Sequence, residues 1–240
     1  MKKYKSLYIN GCSITWGHGV RNEKDKWPYL LSKKLNMPIY KNSSLCGNSM
    51  EGILNSTIND LHEQKNTLCI IGLTYVDRNT FSFGNHQYNY STNSYEYATG
   101  TMADWHKKHF LNERRYYWEN DKDENDNLRK IFVSYANFFN DLVKYDKKFS
   151  SNIYRKNYLH TLLLQSYLEN KKIDYVFIEW EDLLECPNRC SDVKKFKDRI
   201  NTENILKISR DRMNIGNHGH PSEQGCKNIS DDLVEFINTI

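Results

Sequence analysis

Proline and glycine are scarce in this chain, 4 and 11 of 240 residues, which excludes collagen-like and low-complexity architectures. No apolar run approaches the roughly 20 residues that a membrane-spanning helix needs. Charge of one sign is also in short supply. The 34 basic and 30 acidic side chains leave a net charge of +4, too small and too dispersed a surplus to mark a nucleic-acid groove. The six cysteines, Cys12, Cys46, Cys69, Cys186, Cys190 and Cys226, lack the dense spacing of a secreted disulfide scaffold and read as reduced thiols. Cys186 and Cys190 form one close pair, but no second Cys or His pair stands at a matching distance, so no structural zinc is expected. The basic start Met1 to Lys5 leads into a short apolar stretch without a small-residue cleavage site, and the expected location is cytoplasmic.

What is present is a composition of 38% hydrophobic and 13% aromatic residues, the arithmetic of one ordered globular domain spanning 1–240. Lys5 to Asn10 alternates and stops at Asn10-Gly11, predicting a strand that ends in a tight loop. Trp27 to Leu35 has helical spacing, and Ile39-Tyr40 restarts an extended segment. Ser49 to Leu61 places Met50, Ile53, Leu54, Ile58 and Leu61 on one helical stripe, and Thr67 to Leu73 is a continuous apolar run of strand length. Asp174 to Trp180 is a further strand, and Glu223 to Ile240 a closing amphipathic helix. Strands alternating with helices predict an α/β fold with a mostly parallel sheet. Asn127 to Phe149 and Asn152 to Glu169 read as helices, the second with Leu159, Leu162, Leu163 and Tyr167 on one side. Asn79 to Asn127, rich in Tyr, Asn, His and Trp, has no sustained period and is too long for an ordinary connection. It reads as an insertion, either a lid over a sugar or flat apolar group, or a structural cover or oligomer contact.

In open α/β sheets, ligands bind beyond the carboxyl ends of the strands. The loops there are Gly11-Cys12-Ser13-Ile14-Thr15-Trp16-Gly17, then Ser44-Leu45-Cys46-Gly47-Asn48-Ser49, then Gly72-Leu73-Thr74-Tyr75-Val76-Asp77-Arg78. Asn217-His218-Gly219-His220-Pro221-Ser222 precedes the last helix. A Ser at a strand end, Gly turns with free N–H groups and a late His are the parts of a serine esterase: nucleophile, oxyanion donors and base. Ser13 has the competing role of a helix cap, and Gly47-Asn48 that of a plain turn. His218 and His220 could be read as a metal pair, but no further ligands stand at a defined spacing, and no metal or other cofactor is expected. Cys12, a rival nucleophile, should point away from Ser13 and pack. Arg78 is a candidate fork for an anionic substrate group, or a partner for a nearby carboxylate.

These blocks resemble those of the SGNH (GDSL-like) hydrolases, and they appear in family order from Gly11 to Gly225. Gly11-Cys12-Ser13-Ile14-Thr15-Trp16-Gly17 is similar to the first block, Gly-Asp-Ser-x-Thr-x-Gly, with Cys12 in the Asp position. Gly47 matches the second-block glycine, and His220 the final-block histidine. The third block usually reads Gly-x-Asn-Asp; here it is Gly72-Leu73-Thr74-Tyr75. The last block usually has Asp three residues before its His; here that residue is Asn217, which can accept the Nδ1 proton but brings no charge. In the serine-protease triad an equivalent Asp to Asn change costs about 10⁴ in kcat. Glu179, Glu181 and Asp182, at a strand end, are candidates to supply the missing carboxylate, as is Asp211 with less reason.

The resemblance implies a three-layer, flavodoxin-like sandwich and a serine esterase acting on a small O-acyl group, such as acetyl on a carbohydrate. Ser13 would be the nucleophile, His220 the base and Asn217 its orienter. The N–H groups of Ser13 and Gly47, with Thr74, would form the oxyanion site, and Asn48, Arg78 and Trp16 would contact substrate. No nucleic-acid or membrane partner is expected. An acyltransferase using the same covalent intermediate, and a non-catalytic binding protein on the same fold, are the competing readings.

Overall fold

The computed structural model describes residues 4–62, 66–75, 78–83, 86–91, 147–180, 184, 191–216 and 219–240. Five parallel strands form its central sheet: β1 (Ser6–Asn10), β2 (Ile39–Asn42), β3 (Thr67–Gly72), β6 (Tyr175–Trp180) and β7 (Ile205–Ile208), in the order β2-β1-β3-β6-β7. A separate antiparallel hairpin, β4 (Arg78–Phe83) and β5 (His86–Ser91), follows β3. The helices are α1 (Ser13–Trp16), α2 (Trp27–Leu35), α3 (Met50–Leu61), α4 (Lys147–Asn170), α5 (Ser191–Lys197), α6 (Arg210–Met213) and α7 (Glu223–Ile237).

β3 and β6 are buried along their whole length and β1 beyond Ser6, as expected of parallel strands covered on both faces. Strand alternation then divides the core in two. Leu7, Ile9, Leu68, Ile70, Val176, Ile178 and Trp180 pack with Trp27 and Leu31 of α2 and Ile229 and Leu233 of α7. Tyr8, Cys69, Ile71, Tyr175 and Phe177 face Ile53 and Leu61 of α3 and Tyr158, Leu164 and Leu168 of α4. Each fully buried large side chain contributes on the order of 1.5–3 kcal/mol, so the two helix layers are held by the same sheet through opposite sets of residues. Burial also raises the Cys69 thiol, and raises that of Cys226 to about 11, keeping both protonated.

The α/β three-layer fold expected from the sequence is the fold observed. Several elements differ in detail. Arg78–Phe83 and His86–Ser91 form a hairpin inside a stretch read as aperiodic, and β7 and α5 occupy a region to which no element was assigned. Helix α4 runs unbroken from the last residues of the helix expected at 127–149 through the one expected at 152–169, and 127–146 lie outside the described residues. The remainder of the 79–127 insertion, and the Cys186/Cys190 pair, lie outside the described residues. Among the described residues no helix is long and apolar enough to cross a membrane.

The strand order runs outward in opposite directions from β1 and β3, which makes the crevice between their carboxyl ends the topological switch point. Asn10 pairs with Ile71 at that end. The loops that leave β1 and β3 there carry Ser13 and Thr74.

Candidate active site

Helix α1 is a single turn with Ser13 at its first position and buried Cys12 at its N-cap. Gly17 closes it in the left-handed conformation, with N–H bonds back to Ile14 and Ser13. Ser13 is 5% exposed, and its Oγ lies 2.9 Å from His220 Nε2 across 207 positions of sequence. With the imidazole neutral and protonated at Nδ1, Nε2 accepts the Ser13 O–H, which is the geometry a general base requires.

His220 is fixed by its backbone. Its carbonyl accepts the Gly216 N–H at 2.9 Å, Pro221 bridges Ile215 in antiparallel fashion, and Ser222 N donates to Asn214 O at 3.2 Å. Helix α7 begins at Glu223, with Ser222 as its N-cap accepting the Gly225 N–H at 3.1 Å. Gly225 has a steric reason to be glycine: a Cβ there would lie 1.7 Å from the Met213 carbonyl oxygen, so α7 can approach α6 this closely only without a side chain.

The second loop is tied to the first at one atom. Gly11 O accepts both Leu45 N at 3.1 Å and Asn48 Nδ2 at 3.3 Å. Between these tethers Gly47 takes φ +74, and the turn closes through Asn48 N to Leu45 O at 3.1 Å. The N–H groups of Ser13 and Gly47 make no hydrogen bond among the described residues.

Two expected roles are revised by these contacts. Thr74 was expected to donate to the oxyanion, but its O–H goes to the Asn48 carbonyl at 2.8 Å, and one hydroxyl hydrogen serves one acceptor. Asn48 was expected to contact substrate; it is fully buried and its amide braces Gly11. Both side chains hold the loop rather than face a ligand. Trp16, one helical turn from Ser13, is 38% exposed with Lys26 Nζ 4.9 Å from its ring centroid. Arg78 opens β4, where only the backbone is described. Cys12 is buried in the α2/α7-side core.

Asn217, His218, Glu181 and Asp182 lie outside the described residues. Glu179 is 1% exposed on the α3/α4 side of the sheet; its Oε1 accepts Leu184 N at 2.8 Å and its Oε2 lies 3.6 Å from Lys207 Nζ. That carboxylate serves the wall of the fold, so the suggestion that it replaces the missing triad acid gains no support from its contacts. Asp211 is exposed on α6. Among the described residues no group of three or more His, Cys, Asp or Glu side chains could hold a metal ion.

One site residue escaped the sequence reading. His18 packs edge-on against His220, ring centroids 4.7 Å apart and planes at 64°, and its Nδ1 lies 3.8 Å from Cys46 Sγ. Its N–H also bonds to Ser13 O at 3.0 Å. The signal was available in Gly17-His18-Gly19. The two glycines have φ +78 and +96, and a Cβ on Gly19 would sit 3.4 Å from that of His220. Glycine takes these positive φ values without steric cost, so the chain can turn on both sides of His18.

No family model matches the chain, and no curated protein matches it. Solved structures do. The psychrotrophic esterase EstA from Pseudoalteromonas sp., in a structure inhibited by monoethylphosphonate, aligns at a TM-score of 0.51 with 12% identity, over 98% of this chain and 97% of that one. A member of the lipolytic protein G-D-S-L family from Veillonella parvula aligns at 0.44 with 13% identity, over 98% and 99%. Axe2, an acetyl-xylooligosaccharide esterase from Geobacillus stearmophilus, aligns as a mutant at 0.47 with 14% identity, over 99% and 96%. The first of these, at its low identity, shows a shared fold.

Proposed function

We propose that this protein is a serine ester hydrolase that removes a small O-acyl group, such as acetyl, from an alcohol or carbohydrate. The observation that carries the reading is the 2.9 Å contact between Ser13 Oγ and His220 Nε2 at the switch point of the sheet. The fold shared with the Pseudoalteromonas esterase supports it.

In the proposed reaction Ser13 Oγ attacks the acyl carbonyl carbon while His220 Nε2 takes the hydroxyl proton. The N–H groups of Ser13 and Gly47 receive the oxyanion of the tetrahedral intermediate. As the carbon–oxygen bond to the alcohol breaks, His220 returns the proton to the departing oxygen and an acyl-Ser13 ester remains. Water, activated by the same imidazole, then hydrolyses that ester and regenerates the serine. Asn217 is the proposed orienter of the imidazole, as an acceptor for Nδ1. Thr74 and Asn48 act at one remove, keeping the Gly47 turn against Gly11. Trp16 and Arg78 are the proposed substrate contacts, and the aromatic-rich 79–127 insertion the proposed lid.

A fluorophosphonate probe tests the chemistry, since it phosphonylates only an activated serine. Labelling of Ser13 in the folded protein near pH 8, lost in Ser13→Ala and strongly reduced in His220→Ala, is the expected result. Absence of any adduct on Ser13 would reject serine catalysis and favour the binding-protein reading. In unlabelled protein turning over an ester, interception of the acyl-enzyme by an added sugar faster than by water would mark a transferase instead. Removing residues 92–125 should alter the preference among short esters and acetylated sugars if that stretch is the lid.

A further inference from the structure

Asn10 ends strand β1, directly before the nucleophile turn, and is fully buried. Its Oδ1 accepts the Gly11 N–H at 2.8 Å, while its Nδ2 lies 3.2 Å from Ile53 O, 2.8 Å from Ser56 Oγ, 2.9 Å from Thr57 Oγ1 and 3.1 Å from Tyr8 Oη. Hydroxyls can donate or accept, but the two backbone partners have fixed polarity: Gly11 offers only a hydrogen, and Ile53 only an oxygen. The amide is therefore locked in one orientation by groups on two different elements, with no room for the flipped alternative.

Those two elements flank the chemistry. Gly11 leads into Ser13 two residues later, and its carbonyl ties Leu45 and Asn48 on either side of Gly47. Ile53 belongs to the first turn of α3, where Ile53 N bonds to the Ser49 carbonyl; Ser49 is the N-cap of that helix and stands two residues after Gly47. One amide thus spans the turn that presents the Ser13 N–H and the helix that anchors the Gly47 N–H. Tyr8 extends the link outward, donating to Asp60 Oδ2 at 3.0 Å, and Asp60 in turn receives Ser43 Oγ and Lys41 Nζ, each at 2.5 Å.

We infer that Asn10 is a positioning residue for the reaction, setting the separation of the Ser13 and Gly47 N–H groups by bridging Gly11 and Ile53. The inference rests on the serine-esterase reading and goes beyond it. Misplacing an oxyanion donor weakens transition-state binding while leaving ground-state substrate contacts intact, so its effect falls on kcat.

The test compares Asn10→Ala, Asn10→Asp and Thr57→Val. Rates are expressed per serine labelled at saturation by a fluorophosphonate, so that loss of folded protein does not count as loss of catalysis. Asn10→Ala is expected to lower kcat by about 10- to 100-fold with KM within about twofold of the parent. Asn10→Asp keeps an acceptor for the Gly11 N–H and is expected to retain more of kcat. Thr57→Val removes one acceptor from the same network without touching Gly11, and is expected to lower thermal stability and leave kcat within about twofold. Should Asn10→Ala not fold, the Asp and Val variants carry the comparison. Equal loss of kcat in Asn10→Asp and Thr57→Val, or an unchanged kcat in Asn10→Ala, would reduce Asn10 to a packing role. A parent chain that neither labels nor hydrolyses esters would overturn the esterase reading itself and the positioning role with it. A parent that labels beside variants that match it would overturn the positioning role alone.

Discussion

His18 stands edge-on to His220, their ring centroids 4.7 Å apart and their planes at 64°. A ring in this position limits how far His220 can swing from Ser13 Oγ. His18→Ala is expected to lower kcat/KM for a short acyl ester by about tenfold, since a loosened base loses near-attack geometry. Steady-state kinetics beside a melting curve check this. Undiminished kcat/KM in a folded variant would leave His18 without a role in the reaction.

Asn217 offers the opposite experiment. Its position three residues before His220 makes it the orienter in the proposed mechanism, but a neutral one. Asn217→Asp adds the charge that stabilises imidazolium in serine triads, and is expected to raise kcat by at least about tenfold. The change is read as turnover of one ester across pH 6 to 9. No gain would mean that another group already supports His220.

Gly225→Ala tests the seating of the final helix. The added Cβ would meet the Met213 carbonyl oxygen at 1.7 Å, a backbone atom that cannot rotate away. The expected cost is at least about 2 kcal/mol, measured by urea unfolding, as in other overpacked sites. Fluorophosphonate labelling of Ser13 should fall as well, because the same helix start carries His220. Full stability would show that α6 and α7 can separate without penalty.

Asp60 gives a pH signature. Burial pushes its carboxyl up, but the donors Lys41, Ser43 and Tyr8 together outweigh that and hold it below the usual carboxylate value. A folded value lower than the unfolded one stabilises the protein above the unfolded value, near 3.8, and that contribution disappears as pH falls through the folded value. Asp60→Asn should therefore be less stable than the parent at pH 5 to 7, with the two curves converging below about pH 3. Parallel curves over the whole range would remove Asp60 from the acid response.

Much of the architecture was legible because buried parallel strands announce themselves. Thr67 to Gly72 and Tyr175 to Trp180 are nearly unbroken apolar runs, and their bounds fall within a residue of expectation. Ile205–Ile208 was not, since a four-residue edge strand containing Lys207 carries too little pattern. The hairpin after Arg78 had a usable signal in Gly84-Asn85, flanked by alternating Thr80, Phe81, Ser82 and Phe83, but the surrounding polar aromatics masked the period. At the site, sequence blocks named Ser13 and His220, whose hydroxyl and imidazole meet. They could not show that Thr74 spends its hydrogen on Asn48, because a side chain's partner depends on loops brought together only by the sheet. His18 and Asn10 were missed for the same reason: the contacts to His220 and to Ile53 that distinguish them cross long stretches of sequence.

Helices α2 and α7 lie side by side, with Lys34 Nζ bonded to Ser230 Oγ at 2.7 Å and to Asp231 Oδ1 at 2.5 Å. Ser13 and His220, the proposed nucleophile and base, are thus brought within 2.9 Å of each other from opposite ends of a 207-position separation, one ahead of α2 and the other just ahead of α7. Synthesis reaches Ser13 long before His220, so in the proposed reading the serine gains its base only once α7 has been made and has docked beside α2.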